Sequence, residues 1–210
     1  MMTQVQAALC SVPAAIPART PAQHMIIRLH DRLPQPWKNG RGRTREIAVH
    51  PAGAGSEDFQ WRVSVAEVDC DVPFSRFPGI DRQIVLLDGS GFTMTLDDDS
   101  VHVLSVPLRP FAFVGEAAVA VTLVDGATRD FNLMVRRAKG RGEVLPWRKP
   151  GARTVDPAIV LIYCACGVVD TDDGPLHAGD AWLPSARPAA PVTLQHGASA
   201  LAVRIEPAQA

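Results

Sequence analysis

Hydrophobic and polar residues alternate in short runs along most of the chain, and Gly, Pro and Asp break the runs. Nowhere do apolar positions recur at helical spacing between recognisable caps, so helices are not expected. The runs predict strands at 26–29, 44–50, 59–65, 82–87, 92–96, 101–104, 112–114 and 119–124, and again at 129–136, 159–165, 181–183, 191–195 and 200–205. So many short strands at this spacing predict an all-β sandwich or barrel. Asp88-Gly89-Ser90-Gly91 and Asp125-Gly126 read as hairpin loops, and His177-Ala178-Gly179-Asp180 as a tight turn into a strand. Pro78-Gly79 closes a short loop with Pro73, Phe74 and Phe77, and the two phenylalanines are expected to plug a barrel end. The stretch 138–156, rich in Gly, Pro, Lys and Arg, reads as a linker or long surface loop. A Gly-rich turn after an apolar strand at 86–91 returns at 164–167, a faint echo that would suit two similar β halves.

Composition narrows this further. With 47% hydrophobic and 20% charged residues over 210 positions, a packed core is expected rather than disorder. Lys+Arg (21) and Asp+Glu (22) nearly cancel, so nothing pulls the whole molecule toward nucleic acid or an anionic membrane. No run approaches the roughly 20 apolar residues of a membrane helix. Residues 1–24 are Ala-, Pro- and Gln-rich and lack the basic and apolar regions of a secretory signal. They read as a disordered or misassigned extension, or less simply as a weak transit peptide, ahead of one domain at 25–207. Of Cys10, Cys70, Cys164 and Cys166, the last two sit two apart in an apolar run and would share a strand face. They read as packed thiols in a reducing, cytoplasmic compartment.

Four segments could carry chemistry. Trp37-Lys38-Asn39-Gly40-Arg41-Gly42-Arg43-Thr44-Arg45-Glu46 begins as a loop and ends as a strand. It reads either as a loop that closes over an anionic or amide-bearing ligand, with Trp37 as a wall, or as a solvated basic loop. In 59–66, alternation puts Phe59, Trp61, Val63 and Val65 on one face and Gln60, Arg62, Ser64 and Ala66 on the other. That second face either lines a polar cavity, where Arg62 must find a carboxylate, or meets water. In 73–82, Asp81 and Arg82 read mainly as structural charges that could pair with Arg45 or Glu46. Asp130, Asn132 and Met134 share a strand face, and Asn132 must satisfy its amide there. The six histidines show no HxH or HxxxH spacing, so no metal site is expected; His102 with Glu116 is the one loosely suggestive pair. No nucleophile motif occurs, and Glu46 and Glu67 are generic acid–base candidates.

Together these segments resemble the HutD/Ves family. The residues that carry the resemblance are WKNG-x-G-x-TREI (37–47), F-x-WR-x-S-x-AEV (59–68), PFS-x-FPGIDR (73–82) with LLDGSG (86–91), FVGE (113–116) and DFNLM-x-RR (130–137), in the family's order. The resemblance implies a bicupin: two RmlC-like jelly-roll barrels of double-stranded β-helix type in one body, bacterial and cytoplasmic, without metal or other cofactor. It implies a role in sensing or buffering a small acidic metabolite of histidine utilisation. Carried onto matching positions, the ligand-binding residues would be Trp37, Lys38, Asn39, Arg45, Glu46, Trp61, Arg62, Ser64, Phe74, Asp81, Arg82 and Asn132, with no catalytic residue. The family's loop is usually richer in glycine, and Arg41 interrupts it here. Two alternatives stay open: a metal-independent isomerase or hydrolase acting on a small carboxylic acid with Glu46 as base, and a protein-interaction module. A homodimer formed by strand pairing is also open.

Overall fold

The computed structural model describes residues 25–37, 41–184 and 191–208. The one helical element among them is a single 3-10 turn, Leu29–Asp31. The first strands are β1 (Met25–Ile27), β2 (Gln35–Pro36), β3 (Arg43–His50), β4 (Trp61–Val68), β5 (Val72–Pro73), β6 (Ile80–Asp88), β7 (Phe92–Leu96), β8 (Val101–Leu104), β9 (Phe111–Val114), β10 (Val119–Leu123) and β11 (Thr128–Arg136). They are followed by β12 (Gly140–Trp147), β13 (Gly151–Thr154), β14 (Ile159–Cys166), β15 (Val168–Thr171), β16 (Gly174–His177), β17 (Ala181–Leu183), β18 (Pro191–Leu194) and β19 (Ser199–Pro207).

Strand order reveals an internal repeat. The first barrel faces β4-β11-β6-β9 with β5-β10-β7-β8; the second faces β12-β19-β14-β17 with β13-β18-β15-β16. Adding eight to each strand number of the first barrel gives the second. The faint echo at 86–91 and 164–167 marks equivalent corners, where β6 and β14 leave one sheet for the facing one. β2 and β3 extend the first barrel beyond β4, while β1 pairs with β17 of the second. The first described strand therefore lies in the barrel that the chain completes last.

Three apolar layers follow from strand alternation. One face of β4, β6 and β11 sends Trp61, Val63, Val85, Phe131, Leu133 and Val135 against Val144, Leu161, Tyr163, Leu201 and Val203 of the second barrel, which welds the two together. Val72, Ile84, Leu86, Phe92, Met94 and Val121 fill part of the first barrel. Ile162, Val169, Leu176, Trp182, Leu194 and Ala202 fill the second.

Several expectations are corrected. The predicted linker at 138–156 contains β12 and β13. Its composition suits an edge strand packed closely on the other barrel. β12 ends its sheet, so Pro146 is tolerated there, and a Cβ at Gly142 would come within 2.5 Å of Val135. The turns at 88–91 and 125–126 are corners between facing sheets rather than hairpins, since β6 does not pair with β7, nor β10 with β11. The two corners pack on each other: a Cβ at Gly89 (φ 89°) would lie 2.6 Å from the Ala127 carbonyl. The reading of a tight turn at 177–180 agrees with the Asp180 N–H donating to the His177 carbonyl at 2.9 Å. A β-bulge between Cys164 and Cys166 breaks the alternation expected for them, so Cys164 is buried and Cys166 exposed. Burial pushes the Cys164 thiol up to about 12.

Candidate functional site

The first barrel is not filled to its end. At the β3/β4 side lies a cleft of about 570 Å³. The inward face of β4 supplies Arg62, Ser64 and Ala66, and β11 supplies Asp130, Asn132 and Met134 directly opposite them. β6 adds Ile80 and Arg82, and the segment after β5 adds Phe74 to Pro78 as an aromatic lip. Trp37 and Thr44 close the remaining side, where the indole N–H donates to Thr44 Oγ1 at 2.7 Å. Phe74 and Phe77 thus border an opening and do not plug it. Trp37 packs edge-on to Phe74 with ring centroids 6.3 Å apart.

Arg82 is the unusual group. Its residue is only 8% exposed, yet it has no ion pair among the described residues. Instead its guanidinium lies over three rings, those of Phe74, Phe77 and Phe113, at 5.4, 5.5 and 4.8 Å from the centroids. One nitrogen donates to Asn132 Oδ1 at 3.1 Å, and Asn132 Nδ2 donates to Asp130 Oδ2. Arg82 Nε and Asp130 Oδ1 are buried with no hydrogen-bond partner. Burial, opposed by the Asp130 charge and reinforced by nearby Arg62, lowers the Arg82 pKa to about 10. Burial raises Asp130 to about 7, against the Asn132 bond and the Arg82 charge. The cleft floor therefore holds a buried positive charge whose nearest carboxylate is driven by burial toward its neutral form.

The other predicted residues divide by strand parity. Arg62, Ser64, Phe74, Arg82, Asn132 and Trp37 come together around the cleft. Trp61 points the opposite way, into the layer between barrels, and stacks on His50 at 5.6 Å. Asp81 also faces away and receives a bond from Arg137 Nε at 2.8 Å, so it pairs with neither Arg45 nor Glu46. Arg45 turns to Glu67, as does Arg43. Burial would raise the Glu67 carboxyl, but bonds from those two arginines outweigh it and hold the carboxyl below its ordinary value. Glu46 accepts a bond from Arg62 Nε at 2.7 Å and does not line the cleft. Lys38 and Asn39 lie outside the described residues. His102 stacks on Phe111, while Glu116 binds Arg137 and the Gly79 N–H, so that pair is not assembled. Among the described residues no group of three or more His, Cys, Asp or Glu side chains is arranged to hold a metal ion. No helix there is long and apolar enough to cross a membrane.

Sequence reasoning grouped Asp130 with Asn132 but did not single it out; it read Arg82 as mainly structural from its own segment and as ligand-binding only through the family resemblance. The available signal was parity: Arg82, Asn132 and Asp130 all lie on strand positions that face the same interior. What the sequence does not carry is the pairing of β6 with β11, which alone brings them together.

Comparison with known proteins accords with this architecture. The HutD family profile matches residues 29–202. An uncharacterised 21.2 kDa protein in the hutC 3′ region of Pseudomonas putida is 36% identical over 150 residues, which is 71% of this chain and 77% of that one. HutD from Pseudomonas fluorescens SBW25, solved in a formate condition, superposes with a TM-score of 0.77 at 28% identity, over 89% of this chain and 100% of that one. A cupin 2 conserved barrel domain protein from Leptotrichia buccalis, 10% identical, matches in fold alone, with a TM-score of 0.55 over 90% of this chain and 100% of that one. The molecule is a bicupin, and the chain belongs to the HutD family.

Proposed function

We propose that the first-barrel cleft binds a small acidic metabolite, and that the protein senses or buffers an intermediate of histidine breakdown in the bacterial cytoplasm. The observation that carries the reading is Arg82: a guanidinium buried among three rings without an ion pair among the described residues, with a second guanidinium, Arg62, held by Glu46 on the same wall. A buried unpaired charge is costly, and an anionic guest removes the cost. Each charge-assisted bond contributes about 1.5–3 kcal/mol. Two or three such bonds support affinities of the order of millimolar to micromolar after ordering costs. Ser64 and Asn132 offer polar contacts, while Trp37, Phe74 and Met134 suit a flat or short carbon skeleton. Formate, which names the condition of the P. fluorescens HutD structure, is the smallest member of this ligand class. Lys38 and Asn39 stay in the proposal on sequence grounds alone.

A metal-independent enzyme on a small acid is the second reading, and one observation favours it: Asp130, at about 7, has the pKa of a general acid–base group. Asp130 replaces Glu46 in that role, because Glu46 is engaged by Arg62. Full burial of Asp130 beneath Asn132 weighs toward binding over turnover.

Calorimetry and thermal shift with formate, urocanate and N-formylglutamate, each beside its neutral amide, test the proposal. The acids are expected to bind and the amides not. Arg82→Met and Arg62→Ala should each abolish the heat of binding in a folded protein. Undiminished binding in both variants, or equal binding of the amides, overturns the reading. Conversion of any of these acids by the metal-stripped protein decides for the enzyme.

A further inference from the structure

The opposite flank of the first barrel carries a different kind of surface. β8 is the outer strand of its sheet and pairs only with β7 among the described residues. Its outward side chains are Val101 and Val103, 63% and 51% exposed. Their cross-strand neighbours on that face are Thr95 and Thr93, and next to those come Ala120 and Thr122. The outward face of β7, β8 and β10 thus bears no charged side chain. Proteins ordinarily guard an exposed strand edge with Lys, Pro or a bulge, and β8 has none of these.

The two ends of β8 are oppositely charged. Ahead of it, Asp97, Asp98 and Asp99 form a turn closed by the Asp99 N–H donating to the Leu96 carbonyl at 3.0 Å. Beyond it lies a groove of about 520 Å³ between the barrels, lined by Arg109, Arg148, Lys149, Arg153 and Trp147 and by no carboxylate. Arg148 and Arg153 donate to the Pro107 and Lys149 carbonyls, and Arg153 lies 4.7 Å over the Trp147 ring. These contacts fix Arg148 and Arg153 in place without neutralising them. None of the four has an ion pair among the described residues.

We infer that two copies of this chain associate by antiparallel pairing of β8, each acidic turn seating in the basic groove of the other copy. A two-fold axis at His102 sets His102 opposite His102 and Val101 opposite Val103 of the second copy, so that outward side chains meet outward side chains. The start of β8 in one copy then lies beside its end in the other. Both complementary charges sit on one chain, at the two ends of one four-residue strand. Only a second copy running the other way meets both at once, which is why the occupant is this chain and not an unrelated acidic partner. The inference is independent of what the cleft binds.

Sedimentation velocity on the full chain tests it, at tens of micromolar protein and low salt. The wild type is expected at twice the chain mass, and Val103→Lys as a monomer with an unchanged circular dichroism spectrum and a melting temperature that no longer depends on protein concentration. Asp98→Lys/Asp99→Lys, and separately Arg148→Glu/Lys149→Glu, should each weaken association by about tenfold or more. An equimolar mixture of these two double variants should recover it as a heterodimer, since each turn then meets a groove of opposite charge. A monomeric wild type overturns the inference, as does a dimer that survives Val103→Lys or a mixture that associates no better than its components.

Discussion

The two barrels share one topology and have opposite interiors. Where β11 of the first barrel turns Asp130 and Asn132 inward, the matching strand β19 of the second turns in Ala200 and Ala202. Where β6 offers Arg82, β14 offers Ile162 and Cys164, and Trp182 on β17 occupies the middle with full burial. The Trp182 indole still satisfies its N–H, donating to Asp173 at 2.6 Å. The second barrel spends its interior on packing and the first leaves part of its interior polar and open. A duplicated scaffold can therefore divide labour: one half is stable enough to hold the other in a conformation that its own unpaired charges disfavour. The weld of Phe131 and Leu133 against Tyr163 and Leu201 is the physical route by which that support is delivered.

The largest test of this division is Trp182→Ala. It removes the central side chain of the second barrel and should cost about 3–5 kcal/mol in unfolding free energy, read by urea denaturation. The cleft contacts none of the lost atoms, so ligand affinity per folded molecule should stay unchanged. A variant that loses affinity while still folded would show that the barrels do not divide their roles in this way.

Next in size is a pH dependence confined to the first barrel. The folded state holds a proton on Asp130 up to about pH 7, whereas an unfolded chain releases it near ~4. Between those values the folded state binds more protons, so stability is greatest at the acid end and falls as pH rises through the folded pKa. The slope is at most about 1.4 kcal/mol per pH unit. Asp130→Asn, which keeps the shape and removes the titration, should flatten it over this window. An equally steep decline in Asp130→Asn would assign the slope to another group.

Arg82→Met sharpens the contrast from the other side. Replacing a buried charge with an apolar side chain of similar length is often neutral or stabilising. Below pH 7 Asp130 carries its proton, so no orphan carboxylate is left behind. Stability at pH 6 should therefore move by less than about 1–2 kcal/mol, although the proposed ligand is no longer bound. A loss comparable to that of Trp182→Ala would make Arg82 a structural residue of its barrel.

These residues also show how far the sequence could be read. Alternation in 59–66 and 130–134 put Arg62 with Ser64 and Asn132 with Asp130 on shared strand faces and left open whether those faces met a cavity or water; in the structure they border the cleft. The same rule, applied strictly, would have removed Trp61, Arg45 and Asp81, which occupy the intervening positions; motif membership retained them. The strands 140–147 and 151–154 escaped notice because an edge strand that packs closely on a neighbouring barrel needs the Gly and Pro that otherwise mark loops. The corners at 88–91 and 125–126 escaped because a turn signal fixes a change of direction and not the sheet the chain enters next. Long-range pairing decides that, and with it the Arg82–Asn132–Asp130 cluster.

The smallest effect expected is also the most discriminating within the cleft. Ser64 stands directly across from Asn132 in the β4–β11 ladder and is 4% exposed. Its hydroxyl is the one small polar group on the β4 wall beside Arg62. Ser64→Ala should leave the fold intact and weaken acid binding by about 0.5–1.5 kcal/mol, the net value of one neutral hydrogen bond. Calorimetry on the same set of acids reads the difference. If the guest's carboxylate sits against Arg82 and Asn132, Ser64 of the adjoining strand β4 lies on the same wall and the loss should be the same for every acid that reaches both. A loss for the longer acids alone, with formate unaffected, would move the carboxylate to the Arg82 side and leave Ser64 to the rest of the molecule. No loss for any acid would place the guest at the aromatic lip of Phe74 and Phe77, above the polar floor.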